Sequence, residues 1–242
     1  MRFSTKLISI AEAPKKMLKD YLPRLTPEQR AEGERQLAEW RIKKGPIDED
    51  VWEVLLSDQA SAIRIKQVAD NYGNEAFAAL GGIIRSRPEL ADKMSLFTRI
   101  AEAAGGFTSD AFLALGVIVR AAPGLADKLP GLAALAEVAD VSAKYAFQAL
   151  AELIKASPDL AENPDQAIEL FKKIAKAAGT GVGLAFQPLG QTIKACPELA
   201  NELDRFFSLA QKFRGRTHVV YQLVCNMTGE GLLGRDNFEQ TV

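Results

Sequence analysis

One histidine, His218, and two cysteines, Cys196 and Cys225, are all that 242 residues offer to metal or redox chemistry. A paired-histidine zinc helix needs two imidazoles. The thiols stand 29 positions apart and form neither a zinc knuckle nor a redox pair, so two plain thiols in the cytoplasm are expected. An excess of one charge is lacking too: 30 Lys and Arg against 31 Asp and Glu leave a net −1. The bulk pull toward nucleic acid or an anionic membrane is therefore missing. Aromatic residues make up 7%, with both tryptophans, Trp40 and Trp52, close to the start.

Long apolar runs are also absent. The longest stretch without a charge, 177–193, holds several glycines, a proline and two glutamines, which suits no membrane span. Arg2 and Lys6 are followed by only Leu7 to Ala11 before Glu12, too short for the apolar core of a signal peptide, so secretion is not expected. What remains, 48% hydrophobic and 25% charged residues, describes a globular chain able to bury a core.

The chain repeats itself. Ala76-Phe77, Ala111-Phe112, Ala146-Phe147 and Ala185-Phe186 recur at spacings of 35, 35 and 39. Eleven positions after each Phe stands a proline (Pro88, Pro123, Pro158, Pro197), and Leu-Ala follows two residues later. A third landmark is an aliphatic residue plus Ala at Ile100, Leu135, Ile174 and Leu209, with Val68-Ala69 read as an earlier, shorter copy.

Each unit reads as two helices. Phe112, Leu115, Gly116 and Val119 fall on one face of a 3.6-residue helix that the proline closes. The fourth position after each Phe is Gly81, Gly116, Ala151 or Gly190, small residues that let a neighbouring helix approach closely. Pro130 and Asn163-Pro164 mark the first turn of the second helix, and Gly105, Asp140 and Gly179 end it. The long copy, 158–174, has four extra residues, about one helical turn, which keeps the buried face in register.

Helix pairs of this size share a core by stacking. The chain thus resembles the α-solenoids of HEAT and armadillo repeat proteins over 59–226. The resemblance implies an all-α fold: a right-handed α-solenoid of about four to five helix pairs, period 35 with one repeat of 39. Residues 1–58 would form a helical N-terminal cap, and 227–242 a loose, glycine-rich tail. In the cap, Thr26-Pro27-Glu28-Gln29 opens a helix as a capping box and should carry it to about Lys43, and a shorter helix covers 48–56. Residues 1–44 carry eleven basic and six acidic side chains, 45–58 five acidic and none basic, so the two pieces should attract each other.

Candidate sites are few. Gly179-Thr180-Gly181-Val182-Gly183 lacks the strand that precedes a dinucleotide fingerprint and reads as a plain interhelical loop. No catalytic, metal or cofactor motif stands out, so a non-enzymatic chain without cofactor is expected. Three positions before each repeat proline stands a base, Arg85, Arg120, Lys155 or Lys194. On stacked helices these would form a ladder with a step of about 10 Å; a cation in the last turn also simply suits the helix dipole. Beside the ladder, the outward stripe reads Tyr145, Gln148 and Glu152 in the third copy and Gln187 and Gln191 in the fourth. The second copy has Leu113 and Val117 there, an apolar strip suited to a partner. His218 and Tyr221 read as a packed or exposed terminal position.

The expected function is a protein-interaction module or adaptor that takes another protein or a peptide, with acidic character suiting the ladder. A helical-repeat protein that binds nucleic acid, as HEAT-like DNA glycosylases do, is the competing reading. It needs a basic groove, which the near-neutral 59–242 does not favour.

Overall fold

The computed structural model describes residues 18–22, 24–45, 47–157, 159–160, 164–234 and 238. Nearly all of these are helical, and no strand occurs among them. The expectations placed on Pro158 and Asn163, and on the first 17 residues, lie outside the described residues.

Helix α1 (Pro27–Glu39) begins with the capping box: the Gln29 backbone N–H donates to the Thr26 hydroxyl, and the Thr26 N–H donates to the Gln29 side chain. It stops four residues short of Lys43. Arg41 adopts the left-handed conformation, φ 57°, while the Ile42 N–H turns back to the Leu37 carbonyl. Buried Ile42 fixes this Schellman closure. Helix α2 (Glu49–Ser57) follows. The opposite charges of the two pieces meet, Arg30 with Glu53 at 2.5 Å and Lys44 with Glu49 at 2.8 Å.

Two sets of helices then alternate along the chain. One set comprises α3 (Gln59–Ala69), α5 (Met94–Ala104), α7 (Leu129–Ala139), α9 (Pro164–Ala178) and α11 (Leu203–Lys212). The other comprises α4 (Gly73–Ser86), α6 (Thr108–Ala121), α8 (Ala143–Ala156), α10 (Val182–Ala195) and α12 (Thr217–Gly229). Within each set every helix packs on the next member, and each also packs on its neighbour in sequence.

The junctions follow from single residues. Asp70, Gly105, Asp140 and Gly179, with φ between 48° and 59°, close α3, α5, α7 and α9 and lead through one 3-10 turn into the next helix. These four residues set the register, and they correct one assignment. The early copy of the Ile100 position is Ile65, fully buried and 35 residues upstream, while Val68 is only half-buried. At the other junctions, Arg87, Ala122 and Cys196 are extended, as a following proline requires, and Pro88, Pro123 and Pro197 each start a 3-10 turn. Helix α9 has 15 residues against 11 in α5 and α7, so the four-residue insertion is one added turn at its start.

The core is the predicted set of columns. Phe77, Phe112, Phe147 and Phe186 and the leucines at 80, 115, 150 and 189 are all fully buried. Tyr221 continues the Phe column in α12 and is equally buried. The small column also acts as expected. A Cβ on Gly190 would sit 3.1 Å from the Ala149 Cα, and one on Gly81 would sit 2.7 Å from a Val51 methyl of α2. Helices α8 and α10, and α2 and α4, touch through these positions.

Two features depart from expectation. The tail beyond residue 229 is not uniformly loose: Leu233 and Phe238 are buried, and the Phe238 ring lies 5.2 Å from that of Phe206. Ion pairs also cross between helices over 38 residues, Arg64 to Glu102 and, 35 positions further on, Arg99 to Glu137, at 2.6 and 2.7 Å. The guanidinium hydrogen bond from Arg99 holds the Glu137 carboxyl below the usual carboxylate range.

The most apolar long stretch among the described residues, Pro88–Ala121, has a window of mean hydropathy 1.3, half of it buried in the protein. It folds as α5 and α6 with a break at left-handed Gly105.

Candidate functional groove

A groove of about 320 Å³ opens across α6, α8 and α10. Its floor consists of buried small residues, Ala114, Ala149, Ala151 and Gly190, together with the Phe186 ring. The floor exists because the small columns draw these helices together. Nothing large stands between the neighbouring side-chain stripes.

Those stripes supply the walls. On α8, Tyr145, Gln148, Glu152 and Lys155 are three, four and three residues apart, and on α10, Gln187, Gln191 and Lys194 are four and three apart. Both spacings keep the residues on one helix face. Gln148, Gln187, Gln191, Lys155 and Lys194 are exposed, while Tyr145 and Glu152 are half-buried. Gly183, within the glycine-rich stretch, has no side chain to displace the Tyr145 ring: a Cβ there would stand 3.2 Å from it. The glycines at 179–181 form a 3-10 turn leading into α10, the interhelical position expected for a plain loop.

The ladder divides in the structure. Lys155 and Lys194 line the groove, Lys155 bound to Glu152 at 2.7 Å and Lys194 with no ion-pair partner among the described residues. Arg85 instead pairs with Asp48, just before α2. Arg120 is exposed outside the groove, its guanidinium beside Gly116 of its own helix. The apolar strip divides as well. Val117 is half-buried and lines the groove, whereas Leu113 stands outside it at 58% exposure.

Each glutamine presents a carbonyl acceptor and an amide with two donor hydrogens. The Cys225 thiol of α12 lies 3.5 Å from the Gln191 Oε1 and donates to it. The arrangement can hydrogen-bond a polar chain laid across the helices, with an aromatic ring at one end and an ammonium at the other. Among the described residues no three His, Cys, Asp or Glu side chains gather where a metal ion could be held. Comparison with protein-family models, with curated proteins and with solved structures gives no match.

The sequence pattern names the walls and, in the small column, Ala151 and Gly190 of the floor, but not Ala114 or Ala149. Ala149 and Gly190 carry no chemical signature, and their contribution is to be small where two helices meet. The small-residue column is the signal that points to the groove.

Proposed function

We propose that the chain is a right-handed α-solenoid with a helical cap, and that it works as a non-enzymatic interaction module. The groove across α6, α8 and α10 binds an extended peptide segment of a partner protein. The observation that carries this reading is the convergence of Gln148, Gln187 and Gln191 over an apolar floor. The neighbour-to-neighbour packing of the two helix sets and the 35-residue period support the solenoid, as does the resemblance to HEAT and armadillo proteins.

The chemistry favours a peptide main chain. Helices about 10 Å apart meet about three residues of an extended chain rising roughly 3.3 Å each. Glutamines on successive helices therefore address its backbone at a regular interval. Amide side chains satisfy N–H and C=O groups alike, so the groove reads the shape of the chain, and Lys194 adds a preference for an acidic side chain.

Panning a random peptide library against the protein and against Gln148→Ala/Gln187→Ala/Gln191→Ala tests the proposal. Enriched acidic peptides that bind the triple variant at least ten-fold more weakly are expected. Peptides that bind both proteins equally would overturn the groove as the site. Tight binding of DNA or RNA with a steep salt dependence would overturn the peptide reading.

A further inference from the structure

A second concave site lies on the cap. Between the end of α1 and the face of α2 is a cavity of about 510 Å³, lined by Glu34, Ala38, Arg41, Ile42, Lys43, Lys44 and Trp52. Trp52 is only 4% exposed, and its indole Nε1 has no hydrogen-bond partner among the described residues. An indole nitrogen can only donate, and buried donors in folded proteins nearly always have an acceptor. Trp52 lines the cavity, while its Nε1 is itself closed off from solvent.

We propose that this cavity binds the carboxylate of an acidic side chain in a short peptide, together with an adjoining apolar side chain. The charge of the rim selects the anion. Arg41 and Lys43 are exposed and have no ion-pair partner among the described residues, Lys44 is held by Glu49, and Glu34 is the single acid of the lining. The walls select the rest of the ligand. Ala38, buried Ile42 and the indole offer carbon surface that a bare inorganic anion would leave uncovered. The Schellman closure that buries Ile42 fixes the backbone of Arg41 at the rim. The site shares no residue with the groove across α6, α8 and α10, and does not depend on it.

Trp40→Phe leaves Trp52 as the sole indole, so its Nε1–H resonance in a ¹⁵N–¹H spectrum reports the site directly. The probe is acetyl-Leu-Glu-Leu-amide, with acetyl-Leu-Gln-Leu-amide and inorganic phosphate as comparisons. The acidic peptide is expected to shift the nearby indole resonance saturably, with the glutamine peptide at least ten-fold weaker. Arg41→Glu/Lys43→Glu should lower the affinity at least ten-fold at an unchanged thermal midpoint; Arg41→Gly/Lys43→Ala, which suits the left-handed backbone, serves if the first pair misfolds. An unshifted indole, equal response to the glutamine peptide, or full affinity in the charge variants would overturn the proposal. Saturation by phosphate alone would overturn its peptide part.

Discussion

Tyr221 donates its phenol hydrogen bond to the backbone carbonyl of Phe206, and the two rings meet edge to face, 5.5 Å apart at 87°. The other four members of this column are phenylalanines, so the last unit has a polar atom where the others have none. The carbonyl meets that need. Burial of the phenol raises its pKa well above the ordinary value of 10.

The pH dependence follows from that shift. The folded state keeps the phenol protonated, while the unfolded state releases the proton above about pH 10. Stability from this group is therefore whole below pH 10 and declines as pH rises, at about 1.4 kcal/mol per unit. Tyr221→Phe should cost about 1 kcal/mol at neutral pH through the lost hydrogen bond, and should flatten the decline. Urea titrations of both proteins between pH 8 and 11 measure it; parallel alkaline slopes would contradict it.

Thr192 is fully buried and its hydroxyl has no hydrogen-bond partner among the described residues. Its counterparts in the other units are Ile83, Ile118, Leu153 and Met227, so an apolar column has acquired a hydroxyl. Thr192→Val keeps the branched shape and removes the unsatisfied group. A gain of about 1 kcal/mol is expected in chemical denaturation, and a loss would mean that the hydroxyl has a partner.

Phe112 is wholly buried and packs edge-on to Phe97 of α5 at 5.8 Å, joining the two helix sets. Phe112→Ala should cost about 3 to 5 kcal/mol, as for an aromatic lost from a core. The far-ultraviolet spectrum of the folded variant should stay helical. A shift of denaturation midpoint worth under 1 kcal/mol would contradict this packing.

The divided ladder makes a paired test. Lys155→Glu/Lys194→Glu should weaken an acidic groove peptide more than ten-fold, whereas Arg85→Glu/Arg120→Glu should leave its affinity within two-fold. Because all four side chains are exposed, stability should change by about 0.5 kcal/mol or less per site. Arg85 is the informative exception, since its reversal also sets like charges against each other at Asp48 before α2. Equal losses in both pairs would restore a continuous ladder.

The Phe, Leu and small-residue columns name the core from sequence alone, because helical periodicity ties burial to position in the chain. The prolines and the helix-ending residues at 105, 140 and 179 name the junctions for equally local reasons. The earliest helix is easily misregistered because Val68-Ala69 mimics the landmark, and the conformation of Asp70 with the burial of Ile65 restores the 35-residue register. Partners across helices are not legible in the same way. Whether Arg85 faces a ligand or Asp48, and whether Trp52 lacks an acceptor, depends on how separate elements approach one another, and no spacing encodes that.

The packing of each helix on its nearest counterparts has a kinetic consequence. Contacts between residues about 35 apart close only short loops, and the entropic penalty of closure grows slowly with length. Folding can therefore start at any pair and spread outward, with no distant segment required to complete it. Amide exchange should then be slowest in the central helices and fastest in α12, where Val219 and Leu223 face solvent. That outermost helix is the one that would zip up last and come undone first.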